Sequence, residues 1–315
     1  MAVGVQDRSE GYNVLLAREL RDALAGAPMV AQGPMGSALM GEPCGEGVPA
    51  AAWNLEEPEA VERWHRRYIE AGAQVLITNT FQASRPALDR DRIDASVATV
   101  NRSAVDCARR AAVDGVEAPF LLGSIGPCGL DWIGDEDETR IRARAAYAEQ
   151  AQALLEGGVD GLLLETFTTI RHVEPALEAV KEVCCGMPYL VSFAVGRSGD
   201  LLGIDVNIEA AVLFAEQQGA SAVGINCCPL ETASSVASRL VDTARTPTMI
   251  RPNAGAPHRD RDGALIWDED PGALAKQASV WADAGIALIG TCCGYSPRAT
   301  WAIADALDAR IRTAR

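Results

Sequence analysis

Two adjacent cysteines stand near the C-terminal end of this 315-residue chain, in Gly290-Thr291-Cys292-Cys293-Gly294. They follow an apolar run, Ile286-Ala287-Leu288-Ile289, that reads as a buried strand. Neighbouring strand side chains point to opposite faces, so both sulfurs meet one target only if the backbone leaves strand geometry there. Gly294 permits that departure. A third thiol has a similar setting: Ala222-Val223-Gly224-Ile225-Asn226 is another apolar stretch, ending in Cys227, with Cys228 beside it as a competing donor. Cys227, Cys292 and Cys293 around one Zn2+, with a fourth position open, would make the ligand pattern of a catalytic zinc site.

The chemistry such a site performs follows from charge. Three thiolates over-neutralise Zn2+, which makes the centre a poor Lewis acid for generating hydroxide. It suits binding an incoming thiol, favouring that thiol's deprotonation while leaving its sulfur electron-rich enough to attack carbon. The pattern points to alkyl transfer onto a thiol rather than to hydrolysis. Glu165 ends the apolar run Gly161-Leu162-Leu163-Leu164, where a carboxylate is costly unless paired. A substrate ammonium group is one suitable partner, and a buried Arg or Lys is the other. Thr78, Asn226 and Asn253 offer neutral hydrogen bonds to a polar substrate. With only three histidines, His65, His172 and His258, a zinc site must lean on sulfur or carboxylate, and His65, whose spacing matches no ligand partner, reads as a packed or solvated helix residue.

These residues need a frame. Short apolar runs begin at Met29, Gln74, Phe120, Gly161, Tyr189, Ala222, Thr248 and Ile286. Segments with helical spacing separate them: 57–72, 93–113, 139–157, 173–183, 208–218, 231–243 and 272–285, with a last helix over 297–311 and an early one over 12–24. Eight βα units of this size imply a parallel sheet, closed as an α/β (β/α)8 TIM barrel, with a doubly wound open sheet as the alternative. No dinucleotide or Walker loop is present. No linker divides the chain, so residues 1–315 read as one domain with its core at about 28–310. In barrels the active site lies at the C-terminal ends of strands. The candidates fall there: Gly33, Met35 and Gly36, then Thr78 and Asn79, then Ser124, Glu165, Asn226 with Cys227, Asn253, and the Cys292–Cys293 pair.

A formal charge of −15 argues against nucleic acid and anionic membrane as partners. The N-terminus lacks a signal-peptide pattern and no run reaches membrane-span length, so a cytoplasmic location is expected. The nine cysteines are then expected as metal ligands or buried thiols rather than disulfides.

At these residues the chain resembles the homocysteine S-methyltransferase family over roughly residues 28–310. The matching motifs are Gly33-Pro34-Met35-Gly36-Ser37, Thr78-Asn79-Thr80-Phe81, Gly123-Ser124-Ile125-Gly126-Pro127, Gly158-Val159-Asp160 through Glu165-Thr166, Gly224-Ile225-Asn226-Cys227, Pro252-Asn253-Ala254-Gly255 and Gly290-Thr291-Cys292-Cys293-Gly294. The resemblance implies a zinc barrel in which homocysteine thiolate takes a methyl group and becomes methionine. It implies Cys227, rather than Cys228, as ligand with Cys292 and Cys293, and Glu165 on the amino acid's ammonium group. Family members usually carry an Asp where this chain has Gln32. Thr166 and Gln82 stand where betaine-using relatives tend to place Tyr, leaving Trp53, Trp132 and Tyr295 for a partial aromatic cage. The expected methyl donor is a sulfonium such as S-methylmethionine, then a cobalamin-protein partner, then betaine. A zinc–thiol module that works only within a larger assembly is the reading from a different class.

Overall fold

The computed structural model describes residues 19–113, 118–130, 132, 136–203, 206–261 and 263–313. Eight parallel strands form one sheet: β1 (Met29–Val30), β2 (Val75–Ile77), β3 (Phe120–Ile125), β4 (Gly161–Phe167), β5 (Tyr189–Ala194), β6 (Ala222–Pro229), β7 (Thr248–Asn253) and β10 (Leu288–Ile289). Two further strands, β8 (His258–Arg259) and β9 (Leu265–Ile266), pair as an exposed antiparallel ribbon between β7 and β10 that the sequence pattern did not announce. The order around the large sheet is β1-β10-β7-β6-β5-β4-β3-β2. A parallel bridge between Ala31 and Val75 joins its two ends, so the sheet closes as the expected barrel.

Strand alternation explains what fills the barrel. On β4, Leu163 belongs to the inner cluster with Leu122, Leu190, Ala222, Met249 and Leu288, whereas Leu162 and Leu164 pack outward against the helices. Two residues beyond four of these inner apolar positions a polar side chain follows: Ser124 after Leu122, Glu165 after Leu163, Ser192 after Leu190, Arg251 after Met249. All four are buried. The barrel interior is therefore an apolar plug below and a polar layer above it, at the end where the strands run out.

The helices follow the expected spacing with one revision. The helix anticipated over 93–113 is a single helix trimmed to Val97–Ala111, and an unanticipated short helix, Arg85–Arg90, precedes it. The longer helix opens on Ser96, whose hydroxyl caps it by accepting from the Thr99 backbone N–H at 3.0 Å. The early helix is seen over 19–24; the rest of that expectation, 12–18, lies outside the described residues. No described helix is long and apolar enough to cross a membrane.

Candidate metal and thiol site

The strand-end position of Cys227 does not by itself aim its sulfur. The register of β6 against β7 shifts between Asn226 and Pro229, and Cys227 sits in the left-handed region with φ 58°. A non-glycine residue there costs on the order of 1 kcal/mol or more. The bulge swings Cys227 toward β10. On the other side, regular strand ends at Ile289, and Gly294 takes φ 86° beyond the cysteine pair. Both departures together bring the three Sγ atoms within 4.8 Å of one another. Cys228, on the opposite face of β6, is buried in the outer apolar cluster and takes no part in this group.

Asn226 ties the assembly together. Its Oδ1 accepts from the Ser192 hydroxyl at 2.8 Å and the Thr166 backbone N–H at 3.0 Å; its Nδ2 donates to Thr166 Oγ1 at 2.7 Å and to Cys292 Sγ at 3.8 Å. Thr166 stands on a second bulge, on β4, with φ 65°. Asn253 donates from Nδ2 to Cys227 Sγ at 3.7 Å. The two amides expected to contact substrate are thus absent from the cavity wall and spend their N–H groups on ligand sulfurs and neighbouring loops.

Protons distribute unevenly among the sulfurs. Hydrogen bonds from the Cys227 and Cys293 thiols, with the Arg251 guanidinium nearby, hold Cys292 well below the usual thiol range. The same contact with Cys292 pushes Cys227 up to about 12, and bonds to Cys227 and Cys292 push Cys293 up as well.

The sulfurs open onto a cavity of about 400 Å³, a size suited to a small metabolite. Its wall includes the first-loop residues Gly33, Met35 and Gly36, and Thr78, Asn79 and Ser124, as the sequence led us to expect. Their polar groups are largely engaged within the protein. Asn79 donates to Ala50 O at 2.6 Å and to Asn54 Oδ1 at 3.0 Å, holding the 49–54 segment against the cavity. Thr78 Oγ1 accepts from the Ser124 N–H at 3.0 Å and lies 2.6 Å from Thr80 Oγ1.

Glu165 lies at the cavity floor with a different partner from the expected ammonium. Its Oε2 accepts from Arg251 Nη1 at 2.6 Å, and its Oε1 accepts from the Ser124 hydroxyl at 2.5 Å. Both side chains of the ion pair are less than a tenth exposed. The internal cation that the sequence left open as an alternative is therefore Arg251, one inward-facing step above Met249 of the apolar plug. Its one signal in the sequence is a charge directly after Thr248-Met249-Ile250. Burial works against the charge of Arg251, but Glu165 and Cys292 hold it above its ordinary range. Gln32 also faces the cavity; its Oε1 accepts from His65 Nδ1 at 3.0 Å and its Nε2 donates to Ile77 O at 3.0 Å.

The partial aromatic cage is not formed. Trp53 and Tyr295 are buried away from the cavity wall, and Trp132 stacks on His172 with ring centroids 5.0 Å apart. Phe81 is the single aromatic ring among the described lining residues.

The sulfur group fits a metal. Tetrahedral zinc with bonds of about 2.3 Å places its sulfur ligands about 3.8 Å apart, inside the observed limit. Three soft donors with the cavity on their remaining side form a donor set for zinc with a place left for one further ligand.

A family model described as homocysteine S-methyltransferase matches residues 29–307. The chain is 32% identical over 302 residues to methionine synthase of Mycobacterium leprae, an alignment covering 89% of this chain and 24% of that protein. It therefore spans about a quarter of that relative's length. It is 30% identical over 288 residues to betaine–homocysteine S-methyltransferase 1 of Xenopus laevis, covering 84% of this chain and 68% of that one. Among solved structures, the metallated homocysteine methyltransferase MmuM of Escherichia coli superposes with a TM-score of 0.76 at 25% identity, covering 94% of this chain and 99% of that one.

Proposed function

The chain belongs to the homocysteine S-methyltransferase family, and from that premise we propose that it transfers a methyl group from a small activated donor to the thiol of homocysteine, giving methionine. The observation that carries this reading is the convergence of Cys227, Cys292 and Cys293 on one point of the cavity wall. These three would hold Zn2+. When bound, zinc would keep the acceptor thiol deprotonated near neutral pH without quenching its nucleophilicity.

The protein's own residues do the rest by placement. Asn226 and Asn253 donate to the sulfurs of Cys292 and Cys227, fixing their directions and relieving part of their charge. The cavity confines acceptor and donor so that a methyl carbon is presented in line with the acceptor sulfur. The new C–S bond forms as the donor's bond to the methyl breaks, and a sulfonium donor departs as a neutral thioether. No proton has to move in that step, which agrees with the lack of an unpaired acid or base among the described cavity residues.

A sulfonium such as S-methylmethionine is the donor we favour. A quaternary ammonium is best recognised by several aromatic faces, and among its described lining residues this cavity offers Phe81 alone. Methyl transfer from a cobalamin protein is the second reading, favoured by the likeness to a methionine synthase of which this chain spans a quarter. Steady-state assays with homocysteine and each donor test the order; rapid turnover with betaine alone contradicts it. Zinc content and zinc-edge X-ray absorption test the centre. About one zinc per chain with three sulfur neighbours, rising to four on adding homocysteine, is the expected result. A shell that does not change refutes thiol binding at the metal.

A further inference from the structure

Two of the three sulfurs are steadied by side-chain amides, Cys292 by Asn226 and Cys227 by Asn253. Among the described residues no side-chain amide donates to Cys293, which is only partly buried. Its placement therefore falls to the backbone that carries it. The Cys293 carbonyl accepts from the Ala254 N–H at 2.9 Å, and the Cys292 N–H donates to Pro252 O at 2.7 Å, so the near side of the pair is tied to the end of β7.

The far side is held by the chain that follows the β8–β9 ribbon. Gly294 has φ 86°, and the Trp267 ring lies so close to its Cα that an added Cβ would stand 2.2 Å from a ring carbon. Only glycine fits there. Two residues on, the Glu269 carboxylate accepts from both the backbone N–H and the hydroxyl of Ser296, at 2.8 and 2.7 Å. Charge-assisted hydrogen bonds of this kind are roughly twice as strong as neutral ones. Neither Trp267 nor Glu269 lines the cavity or belongs to the sulfur group.

We propose that Trp267 and Glu269 are positioning residues for Cys293: by clamping the Gly294–Ser296 turn they keep that sulfur on the metal and set how slowly zinc leaves. The inference rests on the zinc reading above and adds the residues that retain the ion. A bound ion departs only after a ligand sulfur swings away. Cys292 is buried, and Cys227 is fixed by its bulge and by Asn253. Cys293 is thus the ligand whose hold depends on a turn outside the barrel sheet.

The test is the rate at which zinc passes from the loaded protein to excess 4-(2-pyridylazo)resorcinol, followed by the colour of the complex. Trp267→Ala and Glu269→Ala should each release zinc about tenfold faster than wild type or more, the range of a lost charged hydrogen bond. In Glu269→Gln the amide can accept from the Ser296 N–H and donate to its hydroxyl, so release should stay within about threefold of wild type. A role confined to negative charge at the start of the helix Pro297–Thr313 would not be rescued in that way. Arg259→Ala is the control: it removes an exposed pair with Glu46 on the same excursion and should release zinc as wild type does. Release within about twofold of wild type in either folded alanine variant, a Gln variant as fast as the Ala one, or a control that accelerates equally overturns the proposal. Thermal melts of the metal-free proteins show which variants are folded; should one alanine variant not fold, the other decides. A wild-type protein that takes up no zinc refutes the metal reading itself, so the two failures are told apart.

Discussion

Replacing Glu165 with Gln should cost the barrel a measurable part of its stability while leaving its shape intact. The substitution keeps an amide oxygen for the Ser124 hydroxyl but removes the charge opposite Arg251. The guanidinium side chain is 4% exposed, so water does not replace the lost partner. Breaking one side of a buried pair costs about 3–5 kcal/mol, because the surviving charge is left uncompensated. An unfolding entropy of about 2.1 cal/mol/K per residue gives about 0.66 kcal/mol/K for 315 residues, so the melting temperature should fall by about 5–8 °C. Urea denaturation and thermal melts of the metal-free protein read this directly. Pairing Glu165→Gln with Arg251→Gln should recover most of the loss, since two neutral side chains replace one stranded charge. A single variant that loses less than about 1 kcal/mol, or a double variant whose loss is the sum of the two singles, would refute the claim that these charges compensate each other.

Cys292→Ser should reduce bound zinc below about a tenth per chain, with an unchanged circular dichroism spectrum, because barrel closure does not involve the thiols. Mild oxidation should release zinc and lower the free-thiol count, since the three sulfurs are close enough for two to pair; retention of zinc after two thiols are lost would place the metal elsewhere. Asn226→Ala should weaken zinc affinity by about 10–100-fold, as it removes the donor to Cys292 and frees the Thr166 bulge; metal competition titrations would show an unchanged affinity if the amide were idle. His65, fully buried, has its pKa pushed down to about 4 by burial. The unfolded chain binds that proton near pH 6.5, so its contribution is complete above pH 6.5 and is lost as pH falls toward 4. Relative to His65→Gln, wild type should therefore lose about 1.4 kcal/mol per pH unit across that window, and parallel pH profiles of the two proteins would exclude it.

The apolar strand runs and the helices between them were legible because burial on both faces of a parallel strand leaves a local mark in the sequence. Leu162-Leu163-Leu164 needs no partner to be read as a strand. The cysteines were legible for the same reason: each follows such a run, and strand ends are where a barrel puts chemistry. The helix expected over 93–113 begins only at Val97, since the Ser96 cap is a short-range hydrogen bond that periodicity cannot weigh. The left-handed turn at Cys227 was hidden because a bulge is a matter of register between two strands, and one strand's sequence does not contain it.

By itself, then, the sequence determined the repeating βα plan, the residues that would reach the open end of the barrel and the thiol character of its chemistry. What the tertiary structure decided was partnership. Glu165 and Arg251 are 86 positions apart, and only closure of the barrel shows that they stand opposite each other as an ion pair. That the amides of Asn226 and Asn253 donate to the sulfurs of Cys292 and Cys227 is decided in the same way. The physical cause is that burial and alternation are properties of a segment, whereas the free energy of a charge or a hydrogen bond depends on which atom from a distant segment stands opposite it.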